Sequence, residues 1–195
     1  MSKRITIIQG QPDPDRRRLA YALASAYRHG AEIAGYEVRE IVIAYLDFPI
    51  LRTQKELTAT VVSDAIRFAQ EAIRWADHLV VIYPLWLGTM PALLKAFMEQ
   101  VFRPGNHLAE EHEDRMPSSS ISRKSARIIV TMGTSVFFYR WFLGSHSLKS
   151  LERNILSSAG IGPVRETLFG SVERANEAMR GKWLETMETL GQTGN

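Results

Sequence analysis

The chain of 195 residues contains no cysteine. Disulfides, thiolate nucleophiles, iron–sulfur clusters and cysteine-bound zinc are excluded together, and a reducing compartment is compatible with the composition. No apolar run approaches the ~20 residues that a membrane-spanning helix needs. The start, MSKRITIIQG, is basic but carries only a short apolar run before Gly10, so it reads as a first strand and not a secretion signal. These absences lead us to expect a cytoplasmic protein. Three motifs are also missing: the G-x-G-x-x-G dinucleotide fingerprint, the G-x-x-x-x-G-K-[ST] phosphate loop and the G-x-S-x-G nucleophile elbow. A formal charge of +3 with no Lys/Arg run beyond Arg16-Arg17-Arg18 favours an anionic small ligand over nucleic acid. Five histidines are scattered. His107 and His112 stand among Glu110, Glu111, Glu113 and Asp114, which reads as a hydrated charged loop, and no metal site is expected.

What is present is an alternation of short apolar runs with amphipathic segments. Residues 5–9 (ITIIQ), 37–44, 78–84 (HLVVIYP), 126–133 (ARIIVTMG) and a stretch within 161–170 read as strands. Helices are expected over 16–34, 63–76 with Ser63 as N-cap, 91–102 with Pro91 in the first turn, near 146–159, and 172–190. Strand–helix alternation repeated five times predicts an α/β fold with a parallel sheet covered on both faces. The chain is expected to be one domain over 1–195, with a polar excursion at 103–124 whose composition suits a mobile lid.

Ligands in such folds sit beyond the carboxyl ends of the strands, so three loops matter. The first, GQPDPDRRR (10–18), places three arginines where a helix begins. Either a phosphate lies there on free N–H groups and the arginines, or the arginines pair with Asp13 and Asp15. In the second, YPLWLGTMPALLKAF (83–97), the chain stays apolar through a turn at the end of the central strand. This suits a planar, partly polar ring covered by Trp86 and Leu87, or a packed core turn. The third, TMGTSVFFYRWF (131–142), gives hydroxyl and amide donors followed by five aromatics, a pocket wall or subunit interface in one reading and a core helix in the other. With few acids or bases near these loops, a cofactor would carry the chemistry.

The segment YPLWLGTMPALLKAFMEQVF resembles the P-L-x-W/x-G-x-P-A-L-L-K segment of flavodoxin-like NAD(P)H:quinone oxidoreductases, in particular the short bacterial ones of the modulator-of-drug-activity-B type. GQPDPD, SARIIVTMGT, FYRW, HSLKSL and AGIGPVRETLFG are also similar to this family, collinearly over about residues 4–172. The resemblance implies a flavodoxin-like three-layer sandwich, a five-stranded parallel sheet of order 2-1-3-4-5, bound FMN (FAD as the alternative) and NAD(P)H as co-substrate. It further implies a homodimer and ping-pong hydride transfer to quinones or related electron-poor acceptors. Carried over by motif, Gln11 and Arg16, Arg17 and Arg18 would meet the flavin phosphate. Pro84, Leu85, Trp86 and Leu87 would flank the isoalloxazine, and Thr131, Met132 and Gly133 would meet its pyrimidine edge. Tyr139 and His146 resemble residues that accommodate negative charge on the reduced ring. Gln11 replaces the family's histidine, an arginine replaces its phosphate-binding serine, and Asn106-His107-Leu108 replaces an aromatic stretch, which leaves the flavin and the acceptor open. The competing expectation is a non-catalytic flavoprotein, either an electron carrier or a regulatory subunit of a membrane transporter.

Overall fold

The architecture, taken from a computed structural model, is described for residues 2–59, 61–103, 124–142 and 144–195. Five strands, β1 (Arg4–Gln9), β2 (Glu37–Val42), β3 (His78–Pro84), β4 (Ser125–Thr131) and β5 (Val164–Phe169), form an all-parallel sheet of order β2-β1-β3-β4-β5. The three inner strands are buried almost throughout, whereas edge strand β5 exposes Arg165 and Glu166. Apolar continuity inside and charge at the rim follow from helices covering both faces.

Helices α1 (Leu19–Ile33) and α7 (Glu177–Thr193) cover one face over Ile5, Ile7, Val80, Ile82 and Ile129. They approach closely at two glycines. A Cβ on Gly30 would stand 2.0 Å from the Glu188 carbonyl oxygen, and one on Gly191 2.0 Å from that of Tyr27. The other face is covered by α3 (Asp64–Trp75), α4 (Ala92–Val101) and residues of α5 (Val136–Trp141) and α6 (His146–Lys149), which bury Ile66, Leu94, Phe97, Tyr139 and Leu148. A single turn, α2 (Gln54–Leu57), lies in the β2–α3 connection. The expected N-cap holds: the Ser63 hydroxyl accepts from the Ile66 amide. The Lys95–Glu99 pair on α4 forms as its i,i+4 spacing dictates.

Several boundaries differ from the sequence reading. The first helix starts at Leu19, not Arg16, because Arg18 is extended (φ −64, ψ 137) as its N-cap. The three arginines therefore lie in the loop before the helix and not in its first turn. Pro91 is likewise the N-cap of α4. β4 stops at Thr131, so Met132 and Gly133 belong to the following loop. The helix expected near 146–159 is α-helical only to Lys149 and continues with π-type bonding over Ser150–Ser157. Residues Val172–Arg174 form a 3₁₀ turn, and α7 begins after its Asn176 cap. Of the 103–124 excursion only the two ends are described. Arg103 is buried and donates to the carbonyls of Glu56, Ala59 and Gln100, and Lys124 donates to those of Arg74 and Ala76. The lid expectation and the His107/His112 cluster lie outside the described residues.

Candidate functional site

The carboxyl ends of β1, β3 and β4 are stitched together by main-chain bonds. Gly10 N–H donates to the Ile82 carbonyl at 2.7 Å, and Leu85 N–H donates to the Thr131 carbonyl at 2.8 Å. Gly10 is needed for the first contact, since a Cβ there would meet Leu94 at 2.7 Å and Tyr83 at 3.0 Å. These bonds bring the three loops to one edge. Trp86 is one residue beyond Leu85 and Gly133 two beyond Thr131, so both follow closely on the stitched strand ends.

The second loop ends in a two-residue turn. Trp86 and Thr89 exchange main-chain bonds at 2.8 and 2.9 Å, with Leu87 (φ 48) and Gly88 (φ 80) between them. Positive φ at both central positions is the type I′ requirement, normally met by Asn-Gly or Asp-Gly. A leucine there costs roughly 1–2 kcal/mol in backbone strain. Yet Leu87 is fully exposed and Trp86 49% exposed. An apolar side chain held in an unfavourable conformation at the surface is an observation that points toward function. The alternative of a packed core turn does not hold for these two residues, although Pro84 and Leu85 are half-buried.

In the third loop Thr131 and Met132 are buried. The Met132 amide donates to Phe169 and its carbonyl accepts from Val172. Gly133 is exposed, and a Cβ there would contact only Glu173. Of the three residues expected at a ligand edge, Gly133 is thus the one that presents its backbone outward.

The first loop is organised by a chain of side-chain acceptors. Gln9 accepts from the Gln11 amide, Gln11 from Asp13, Asp13 from Asp15 and Asp15 from Arg17. Short polar side chains that bond two residues on make such turns. The same carboxylates hold the arginines: Arg17 pairs with Asp15 at 2.9 Å and Arg18 with Asp13 at 2.5 Å, while Arg16 stacks on the Tyr45 ring at 5.6 Å. The Arg17 guanidinium beside Asp15 takes its carboxyl down to about 2. The Asp15 amide, and then Arg18, lower that of Asp13. The pairing read as one alternative from sequence is therefore present, with all three arginines exposed at the rim of the site.

Tyr139 and His146 differ in exposure. His146 is exposed and lies over Gly144, where a Cβ would come within 2.7 Å of its Nε2. Tyr139 is fully buried in the core, and its hydroxyl has no partner among the described residues. It is the one residue of α5 that is buried, while Phe137, Phe138, Trp141 and Phe142 are exposed. Beside it stands Tyr83, also fully buried, with its hydroxyl near Ser147. Burial, then the neighbouring Tyr139, pushes the Tyr83 phenol upward. Ser147 and Thr89 close this group with a hydroxyl–hydroxyl contact of 3.1 Å. Sequence reading missed Tyr83, Thr89 and Ser147, because hydroxyl residues 58 positions apart carry no local signal. Among the described residues no cluster of acids and histidines could hold a metal, and no helix is long and apolar enough to cross a membrane.

Comparison with known proteins places this site in context. The chain is 26% identical over 140 residues to a protein of Haemophilus influenzae named as an uncharacterized NAD(P)H oxidoreductase, covering 70% of this chain and 68% of that one. A second curated relative, 39% identical over 70 residues, is spanned over only 26% of its length. Among solved structures, the NAD(P)H:quinone oxidoreductase from Methanothermobacter marburgensis superposes with a TM-score of 0.80 at 19% identity, over 100% of this chain and 97% of that one. An FMN-dependent NADH-azoreductase from Bacillus anthracis, solved with FMN, gives 0.70 at 14% identity, over 99% of both chains. At such identities the structural likeness establishes the fold. The family model described as flavodoxin-like fold matches residues 3–189, and the chain belongs to this family.

Proposed function

We propose that the chain is a flavin-dependent oxidoreductase that takes hydride from NAD(P)H and delivers it to quinones or related electron-poor aromatics in a ping-pong cycle. The observation that carries this is the strained, exposed Trp86–Leu87–Gly88 turn at the end of the central strand, tied through Leu85 and Thr131 to the exposed Gly133. Apolar surface on one side and an outward-facing glycine backbone on the other fit a ring that is flat, apolar across its faces and polar along one edge. The arginines and loop amides at residues 11–18 fit a phosphate, FMN in the first instance and FAD as the alternative.

In this reading Pro84, Leu85, Trp86 and Leu87 flank the ring and exclude water from it. The Thr131–Gly133 backbone meets its polar edge, with Gly133 offering the outward amide. Gln11 and Arg16–Arg18 hold the phosphate, for which the anion must take over donors now engaged by Asp13 and Asp15. The flavin, when bound, supplies the two-electron chemistry. The protein's part is to orient it and to place donors where negative charge develops. His146, which is exposed, and Tyr139, from the core beneath, are the residues for that task. Reading the site as one half of a homodimer accommodates the exposed aromatics of α5.

Those same aromatics favour a second reading, a non-catalytic flavoprotein that docks on a partner. Steady-state oxidation of NADH and NADPH by the FMN-reconstituted protein, with menadione or benzoquinone as acceptor, separates the two. Parallel double-reciprocal lines support the enzyme. Flavin binding with negligible nicotinamide oxidation would support the carrier.

A further inference from the structure

The Trp86–Thr89 turn poses a physical problem. Leu87 occupies a backbone region that favours asparagine or glycine, and the turn's two main-chain bonds join exposed residues where water competes. A non-glycine residue stays in such a region only when its surroundings over-determine it. The described structure shows one side-chain tether from outside the turn, the Thr89 Oγ1 to Ser147 Oγ contact at 3.1 Å.

Ser147 is well placed to be a fixed anchor. It is 8% exposed and stands in the first turn of α6, directly after Gly144 and Ser145, both in left-handed conformation. Ser145 is itself held, donating to the Tyr139 carbonyl and accepting from the Lys149 amide. Beside Ser147 is the buried phenol of Tyr83, with Tyr139 next to it. The Thr89–Ser147 contact is part-buried, so water competes with it less than with a fully exposed bond.

We propose that Ser147 is a positioning residue. Through Thr89 it holds the strained turn in the conformation that presents Trp86 and Leu87 to a planar ligand. The holding of the turn stands on the structure alone, while its use by a flavin rests on the function proposed above. Loss of the hydroxyl leaves the turn to its own two bonds, and the strain at Leu87 then favours its opening.

Amide hydrogen exchange at Trp86 and Thr89 in the ligand-free protein reads the holding directly. Ser147→Ala should accelerate both by about fivefold, the loss of one neutral hydrogen bond. Thr89→Val, at an exposed position that keeps the shape of the residue, should do the same, and the double variant should add nothing further. Leu87→Asn in the Ser147→Ala background should slow exchange back toward the original rate, because asparagine accepts the positive φ. Unchanged exchange in both single variants, or additive effects in the double, overturns the proposal. FMN titration forms the second arm, with Ser147→Ala and Thr89→Val each expected to weaken binding about fivefold. Faster exchange with unaltered FMN affinity removes the positioning role. Absence of FMN binding by the unmodified protein overturns the flavin reading and the positioning role with it, and leaves only the holding of the turn.

Discussion

At the amino ends of the strands most polar groups have partners, the buried His78 Nε2 and Arg127 Nε being without one among the described residues. Asp77 accepts from the Arg4 amide at 2.9 Å and pairs with its guanidinium. Lys124 reaches the closing carbonyls of α3, where a cation also meets the negative end of the helix. His78 is buried and shares a 2.7 Å bond between Nδ1 and the Ser125 hydroxyl. At the carboxyl ends leucine holds a glycine-like conformation in full exposure and an indole is half exposed. The departures at this end are of another kind, strained backbone and exposed apolar surface within a few residues, and these point toward function.

The contrast can be broken most forcefully at the arginines. Replacing Arg16, Arg17 and Arg18 together with alanine should weaken FMN affinity by roughly tenfold to a hundredfold, the range of charge-assisted bonds to a phosphate. Folding stability should stay within about 0.5 kcal/mol, as for exposed sites. Equilibrium dialysis and urea melts check the two halves, and a destabilised protein with unaltered affinity would assign the loop to the fold.

The amino end predicts the next effect, on stability alone. Burial, with Lys3, Arg127 and Arg165 adding to it, lowers His78 from 6.5 to about 3. The unfolded chain then binds a proton that the folded chain refuses between those values. Stability from this group is complete above pH 6.5 and falls as the pH drops toward 3. Between pH 7 and 5 the loss should be about 2 kcal/mol, read from urea midpoints. His78→Gln should flatten this dependence, and an equally steep fall in that variant would place its origin elsewhere.

Smaller changes sharpen the comparison. Leu87→Asn should raise stability by up to about 1 kcal/mol by relieving the positive-φ strain, yet weaken FMN binding through the lost apolar surface. A thermal melt and a fluorescence titration in parallel would show whether the two move oppositely, and movement together would contradict the trade. The smallest effect on stability is expected for Tyr139→Phe, which removes one buried hydroxyl. Stability should change by about 1 kcal/mol or less, with the stopped-flow rate of FMN reduction by NADH lowered at unaltered FMN affinity. An unchanged rate would remove the phenol from the reaction.

Much of this was legible in the residues. Strand order, the Ser63 cap and the position of the three loops follow from apolar runs and from the resemblance of residues 83–102 to a known family. The helix start near Arg16 was misplaced because the arginines look helical in composition. The side chains of Gln11, Asp13 and Asp15 instead satisfy the amides of a non-helical loop, a three-dimensional fact with only a weak trace in Pro12 and Pro14. Tyr139 could not be told from its neighbours, since in FFYRW four large residues of one short helix are exposed and a single one is buried. The strain at Leu87 was equally hidden, because Leu-Gly is not a recognised hairpin pair and only the backbone angles reveal it.

The central claim, that three strand-end loops together hold a flavin, is tested most directly by titrating the purified protein with FMN while following flavin fluorescence. The account predicts saturable quenching at one flavin per chain, weakened by the Arg16–Arg18 replacement and by Trp86→Ala alike. Fluorescence that stays at the free-flavin level throughout the titration, in a protein shown to be folded, would contradict it.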